Sequence, residues 1–186
     1  MTERDRRSAR GQWAVGLSWG RAAAGPAVAA LWSAPHPPWR VLGTVLFLMA
    51  AASDALDGWL ARSGRSTTAW GAYLDPVADK ILVLGGALAL VSAGRFGLWQ
   101  LYPWLVRELA VTGLRALRPQ GQLLAASRWA KVKMAAQVAA LAAAALWPGR
   151  WSEGLWAVAT ALTLFSGAQY LWTGRGLAAA GEAGND

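Results

Sequence analysis

DALDGWLARSGRSTTAWGAYLDPVAD, residues 54–79, decides how this chain is read. It holds four aspartates in two pairs, Asp54/Asp57 and Asp75/Asp79, set within apolar sequence. With the positions between them the pattern is D-x2-D-G-x2-A-R-x8-G-x3-D-x3-D, filled by Asp54, Asp57, Gly58, Ala61, Arg62, Gly71, Asp75 and Asp79. An ionisable cluster at membrane depth is costly and marks a functional site. Carboxylates brought together repel strongly unless cations join them. A pair of hard divalent metals, which prefer oxygen ligands, is the simplest neutraliser.

The flanking sequence is that of a membrane protein. The chain has 186 residues, 55% hydrophobic and 15% charged. Apolar runs near the roughly 20 residues that span a bilayer as helix recur along it. They predict an all-α integral membrane protein, a bundle of six transmembrane helices over 13–34, 39–60, 69–91, 97–116, 131–147 and 154–173. One membrane domain, 13–174, then lies between a basic segment, 1–12, and a tail, 175–186. Pro35, Pro37 and Pro38 break the chain after the first run. Residues 117–130, with Pro119 and Gly121, form the longest connection, read as a cytoplasmic loop or a short surface helix. Ala-rich sequence over 139–145 reads as a close-packed helix face, and Gly16-x3-Gly20 as ordinary packing.

Arginine and lysine favour the cytoplasmic side. With both termini inside, the inner flanks hold Arg4, Arg6, Arg7, Arg10, Arg62, Arg65, Arg115, Arg118, Arg128, Lys131, Lys133 and Arg175, whereas the outer loops hold only Arg40, Arg95 and Arg150. The aspartates therefore face the cytoplasm. The net charge of +8 lies on that same face, so it suits anionic lipid and anionic substrates rather than nucleic acid. The basic start is read as retained and not as a cleaved signal, because Arg21 interrupts the first apolar run. Cysteine is absent, which excludes disulfide and thiol chemistry. The single histidine, His36, reads as a loop residue.

Helical spacing orders the motif. Residues three, four, seven and eight apart share a face. Asp54, Asp57, Gly58, Ala61 and Arg62 form one stripe on the second run, and Gly71, Asp75 and Asp79 another on the third. Asp54 lies eight residues before Arg62, and Asp79 eight after Gly71. At about 1.5 Å per residue both stand roughly 12 Å above the turn between antiparallel helices, at matching depth for shared metals. Gly58 and Ala61 leave room for a ligand to approach the backbone, and Arg62 at the mouth suits a phosphate.

This motif resembles the signature of the CDP-alcohol phosphatidyltransferase family at all eight positions. Asp75-Pro-Val-Ala-Asp-Lys80, Arg107-Glu108, Leu114-Arg115, Ala126-Ser127, Lys131-Val-Lys133, Gln137, Ser166-Gly167 and Tyr170 resemble its bacterial phosphatidylglycerophosphate synthase branch, as do Leu17-Ser18, Arg21 and Pro26. The branch's Asn-x-Pro-Asn before the first span is missing, Ala130 stands at a usual glycine and Met134 at a frequent threonine. The resemblance implies a bacterial inner-membrane enzyme, a homodimer, that binds CDP-diacylglycerol with two Mg²⁺ or Mn²⁺ ions. An alcohol attacks the lipid-bearing phosphorus and CMP leaves. Asp54, Asp57, Asp75 and Asp79 would hold the metals, Asp57, Gly58, Ala61, Arg62 and Gly71 the nucleotide diphosphate, and Asp79 would take the proton.

The acceptor is read from cations outside the motif. Arg115, Lys131 and Lys133 sit at inner span ends, with Arg107 deeper and Arg21 on the first span. Such a basic pocket suits an acceptor carrying its own phosphate, such as glycerol 3-phosphate, although each cation also serves as a cytoplasmic anchor. Phosphatidylglycerol, inositol phosphate and serine remain open as acceptors. An ion-coupled transporter is the reading from another class, but ion passage has no use for the gap at Gly58, Ala61 and Gly71.

Overall fold

The computed structural model describes the backbone of residues 3–61, 69–116 and 128–182, and side chains over 16–53, 77–114 and 129–172. These residues form six helices: α1 (Glu3–Ser33), α2 (Pro37–Ala61), α3 (Ala69–Ser92), α4 (Leu98–Ala116), α5 (Arg128–Leu146) and α6 (Arg150–Glu182). No strand occurs among the described residues.

Two helices outrun their expected bounds. α1 has 31 residues and takes in most of the basic segment, and α6 has 33 and continues into the expected tail. Both extensions carry strong helix formers, the arginines before Gly11 and Ala178–Ala180. At about 1.5 Å per residue each runs to well over 40 Å, beyond a hydrocarbon core of about 30 Å.

The turns follow from local chemistry. α2 opens on Pro37, where a missing N–H costs nothing. α3 ends in a Schellman cap. Gly94 takes φ 68°, its N–H meets Val91 O at 3.0 Å, and Arg95 N–H meets Leu90 O at 2.9 Å. The Arg95 side chain then crosses to α5, where Nη1 donates to Ala144 O at 3.0 Å and Ala145 O at 2.7 Å, satisfying carbonyls at that helix's end. Ser152 Oγ receives Gly149 N–H at 3.0 Å and donates to Gly149 O at 2.8 Å, closing the entry to α6.

Among the described residues, one helix is long and apolar enough to cross a membrane, α5 over Trp129–Leu146. The surface is apolar nonetheless. Leu42, Val45 and Met49 on α2, Leu109 on α4 and Val158, Leu164 and Phe165 on α6 are all exposed. Soluble monomers rarely show so continuous an apolar exterior. Exposed Trp39, Trp99, Trp147 and Trp151 stand at the bundle end that carries the short connections, where interfacial anchors belong.

The core sits between the helices of two groups. α1 packs most closely against α3 and also against α2, whereas α5 packs on α6 and α4 on α6. Trp32 of α1 is wedged between its neighbours. A Cβ on Gly43 of α2 would lie 2.8 Å from its Cδ1, and one on Gly86 of α3 2.8 Å from its Cζ3. Its indole N–H reaches Thr44 Oγ1 at 3.2 Å, and Phe47 lies 5.0 Å away between ring centroids. In the second group Trp104 of α4 and Trp156 of α6 stack at 3.9 Å, and Phe96 closes on Trp156 at 4.1 Å. Ala140, Leu141, Ala144 and Ala145 are buried, so the Ala-rich run of α5 is a packed face as its composition predicts. Gly16 and Gly20 meet nothing within 4 Å of a Cβ position, so the close approaches lie at Gly25, Gly43 and Gly86 instead.

Candidate active site

Helix register brings the aspartate positions to one depth. A Cβ on Gly25 would lie 2.8 Å from Ile81 Cγ2 and 3.1 Å from Ile81 O, and Trp32 meets Gly86, so α1 and α3 run parallel. Followed back along both helices, this register sets Arg21 level with residues 75–77. The meeting of Trp32 with Gly43 fixes the antiparallel register of α1 and α2, which sets Arg21 level with Asp54 and Ser18 level with Asp57. Ser18 and Arg21 are both buried. The backbone thus carries Asp54, Asp57, Asp75 and Asp79 to within about a turn of one level, with α1 as the common ruler. α2 and α3 meet each other less than either meets α1, so the pairing expected of a simple hairpin is mediated by the first helix.

The side chains of Asp54, Asp57, Gly58, Ala61, Gly71, Asp75 and Arg115 lie outside the described residues, although their backbone is helical, and Arg62 lies outside altogether. Asp79 is described, half-buried, with Oδ1 shielded from solvent. Aspartate oxygens are the donors that hard divalent cations take, so the chemistry of these four residues suits such an ion, although among the described residues no group of three such ligands comes together.

A second cluster joins the later helices. Glu108 Oε1 accepts from Arg107 Nη1 at 2.9 Å and also from Lys133 Nζ. Arg107 Nη2 donates to Ser166 Oγ at 3.0 Å, and Ser166 Oγ donates to Thr163 O at 3.1 Å. Below it Gln137 Nε2 donates to Thr163 Oγ1 at 3.0 Å, which donates in turn to Ala159 O at 2.6 Å. The cluster is interior, with side-chain exposure of 9% for Arg107 and Lys133 and 13% for Glu108. Asp79 is near enough to act electrostatically on Lys133, and Lys80 on Glu108, so this cluster adjoins the last aspartate of the motif. Ions buried in this way cost several kcal/mol each in desolvation.

The sequence placed Lys131 and Lys133 in one pocket, but the structure separates them. Two residues apart on a helix they point to different sides, so Lys133 is buried and Lys131 exposed. Glu108 and Thr163 were not singled out as site residues. A carboxylate directly after an arginine inside an apolar run was the available signal for Glu108, and Thr163 carried none. Beside the cluster an apolar groove of about 550 Å³ lies between α4 and α6, walled by Tyr102, Val106, Leu164 and Leu171, with Arg107 as the charged residue of its lining.

Residues 13–167 match the family described as CDP-alcohol phosphatidyltransferase. The chain is similar to the CDP-diacylglycerol–glycerol-3-phosphate 3-phosphatidyltransferase of Bacillus subtilis, 38% identical over 108 residues, 58% of this chain and 56% of that protein. It is similar to the protein of the same name from Salmonella typhimurium, 38% identical over 146 residues, 73% of this chain and 80% of the relative. The Escherichia coli protein of that name is 39% identical over 141 residues, 70% of this chain and 77% of the relative.

Proposed function

Because the chain belongs to the CDP-alcohol phosphatidyltransferase family, we propose that it transfers the phosphatidyl group of CDP-diacylglycerol to glycerol 3-phosphate, forming phosphatidylglycerol phosphate and CMP. The observation that carries the acceptor assignment is the interior pair Arg107 and Lys133, beyond the aspartate motif yet electrostatically adjacent to Asp79. Two cations share one carboxylate, Glu108, so the cluster keeps a net positive charge for a phosphate monoester. The relatives' name specifies the same acceptor.

In this reading Asp54, Asp57, Asp75 and Asp79 hold Mg²⁺ or Mn²⁺, two ions per site. The metal, when bound, screens the diphosphate and stabilises the leaving CMP. Gly58, Ala61 and Gly71 leave space for the nucleotide, and Arg62 meets its phosphate. Arg107 and Lys133 grip the acceptor phosphate, with Arg21 and Arg115 completing the positive wall. Lys131, exposed on α5, serves as a cytoplasmic anchor. Asp79 accepts the proton of the attacking hydroxyl, which forms the new P–O bond as the bond to CMP breaks. The apolar groove beside Arg107 is compatible with lipid tails.

Six transmembrane spans, cytoplasmic termini and an inner-membrane site open to the cytoplasm belong to the same reading, supported by the arginine and lysine distribution and the exposed tryptophans. A homodimer belongs to it as well, and cross-linking in lipid nanodiscs tests it.

The decisive assay incubates purified protein with CDP-diacylglycerol, Mg²⁺ and a panel of glycerol 3-phosphate, glycerol, phosphatidylglycerol, inositol phosphate and serine, with products read by mass spectrometry. Phosphatidylglycerol phosphate should dominate. Comparable turnover of free glycerol, or preference for another acceptor, overturns the assignment.

A further inference from the structure

Glu108 has no place in the aspartate motif, yet it sits at the meeting point of three helices. A single carboxylate oxygen, Oε1, accepts from Arg107 on its own helix and from Lys133 on α5, while Arg107 reaches on to Ser166 of α6. A lysine ammonium rides on a flexible four-carbon stem and holds no position unaided. Two cations this near one another also repel. Both problems are solved by one anion between them. The stem of Arg107 is confined in addition by Gly167, where a Cβ would stand 3.0 Å from Arg107 Cγ. Arg107 Nε is buried and makes no hydrogen bond, so the guanidinium keeps donor capacity beyond its bonds to Glu108 and Ser166.

We propose that Glu108 is the positioning residue of the acceptor site: its carboxylate clasps Lys133 and Arg107 and so fixes where the acceptor's phosphate is received. The proposal rests on the reading of those two cations as acceptor-phosphate donors. Glu108 touches neither substrate. Arg107 is held by Ser166 and confined at Gly167 as well, so Glu108 acts above all through Lys133, and its effect belongs to the acceptor and largely vanishes when Lys133 is gone. A merely structural ion pair would show neither property.

The test compares Glu108→Gln, Glu108→Asp, Lys133→Ala and the double variant Glu108→Gln/Lys133→Ala in the full chain. KM is measured separately for glycerol 3-phosphate and CDP-diacylglycerol, alongside thermal unfolding. Glu108→Gln should raise the glycerol 3-phosphate KM about 10-fold, the size of one lost charged contact, and leave that for CDP-diacylglycerol within about twofold. Glu108→Asp, which keeps the charge but retreats by a methylene, should fall between. In the double variant the acceptor KM should stay within about twofold of Lys133→Ala alone, the mark of residues acting as a unit. Independent multiplication of the two factors, or an equal rise in both KM values, reduces Glu108 to a structural role and overturns the proposal. If Lys133→Ala leaves the glycerol 3-phosphate KM unchanged, the acceptor reading of the cluster falls, and the proposal with it. Should Glu108→Gln fail to fold, an unchanged acceptor KM in Glu108→Asp overturns the proposal by itself.

Discussion

Gly25→Ala probes the closest approach between α1 and α3. The added methyl would stand 2.8 Å from Ile81 Cγ2 and 3.1 Å from Ile81 O. Carbon atoms rest at about 3.5–4.0 Å. Ile81 is β-branched and stiff at χ1 within a helix, and its carbonyl is part of the backbone, so the helices themselves must separate. Overpacking of this kind costs about 1–3 kcal/mol, whereas alanine in place of a helical glycine returns up to about 1 kcal/mol. The net loss should therefore be up to about 2 kcal/mol, read as a lower thermal unfolding temperature in detergent. Activity should suffer more. Ile81 follows Asp79 by two residues, and a misplacement near 1 Å can cost on the order of 100-fold in rate. Gly85→Ala is the control. It lies on α3, the helix of Ile81, with nothing within 4 Å of its Cβ position, so it should be neutral or slightly stabilising. Ile81→Ala in the Gly25→Ala background removes the Cγ2 clash but not the carbonyl, and should restore part of both losses. A Gly25→Ala protein indistinguishable from Gly85→Ala in unfolding and CMP release would refute the close register from which the depth of the aspartates was derived.

Arg95→Ala should lower stability by about 1.5–3 kcal/mol, because its bonds to the α5 carbonyls are charge-assisted, while both substrate KM values stay unchanged; an unaltered unfolding temperature counts against that cap. Asp79→Asn should abolish CMP release while CDP-diacylglycerol binding persists, and near-normal turnover would remove Asp79 from proton transfer. Single cysteines at His36 and Ala93, both exposed, should react with an impermeant maleimide only from outside the cell, and one at Ser63 only from the cytoplasmic side; the opposite pattern inverts the proposed orientation.

The helices and the aspartate motif were legible because both depend on local spacing. Asp54 and Asp57 are three apart, Asp75 and Asp79 four, and helical geometry alone places each pair on a face. Burial along the Ala-rich part of α5 was legible from its composition, since small side chains let helices approach closely. Partner choice between helices was not. Nothing local distinguishes Gly16 and Gly20, which meet no neighbour, from Gly25, Gly43 and Gly86, which meet Ile81 or Trp32. Nor does the run Lys131-Val-Lys133 announce which lysine turns inward, since that depends on where α4 presents Glu108. The pocket of the later helices is assembled from residues 107 to 166, separated by long stretches of chain, and only its arginine and lysine members stood out in an apolar background.

Trp32 has a consequence for biogenesis. The ring fills the space that Gly43 and Gly86 leave for it, so the separation of α2 and α3 at that end is set by a side chain of α1. Chains are made from the N-terminus, and the helix bearing this spacer emerges before either helix it holds apart. α2 and α3 thus need not find their mutual distance by trial. Each can dock in turn on a gauge already waiting in the bilayer, and the aspartates reach a common level only after both have done so. That levelling is closed to a chain whose first helix has not been laid down.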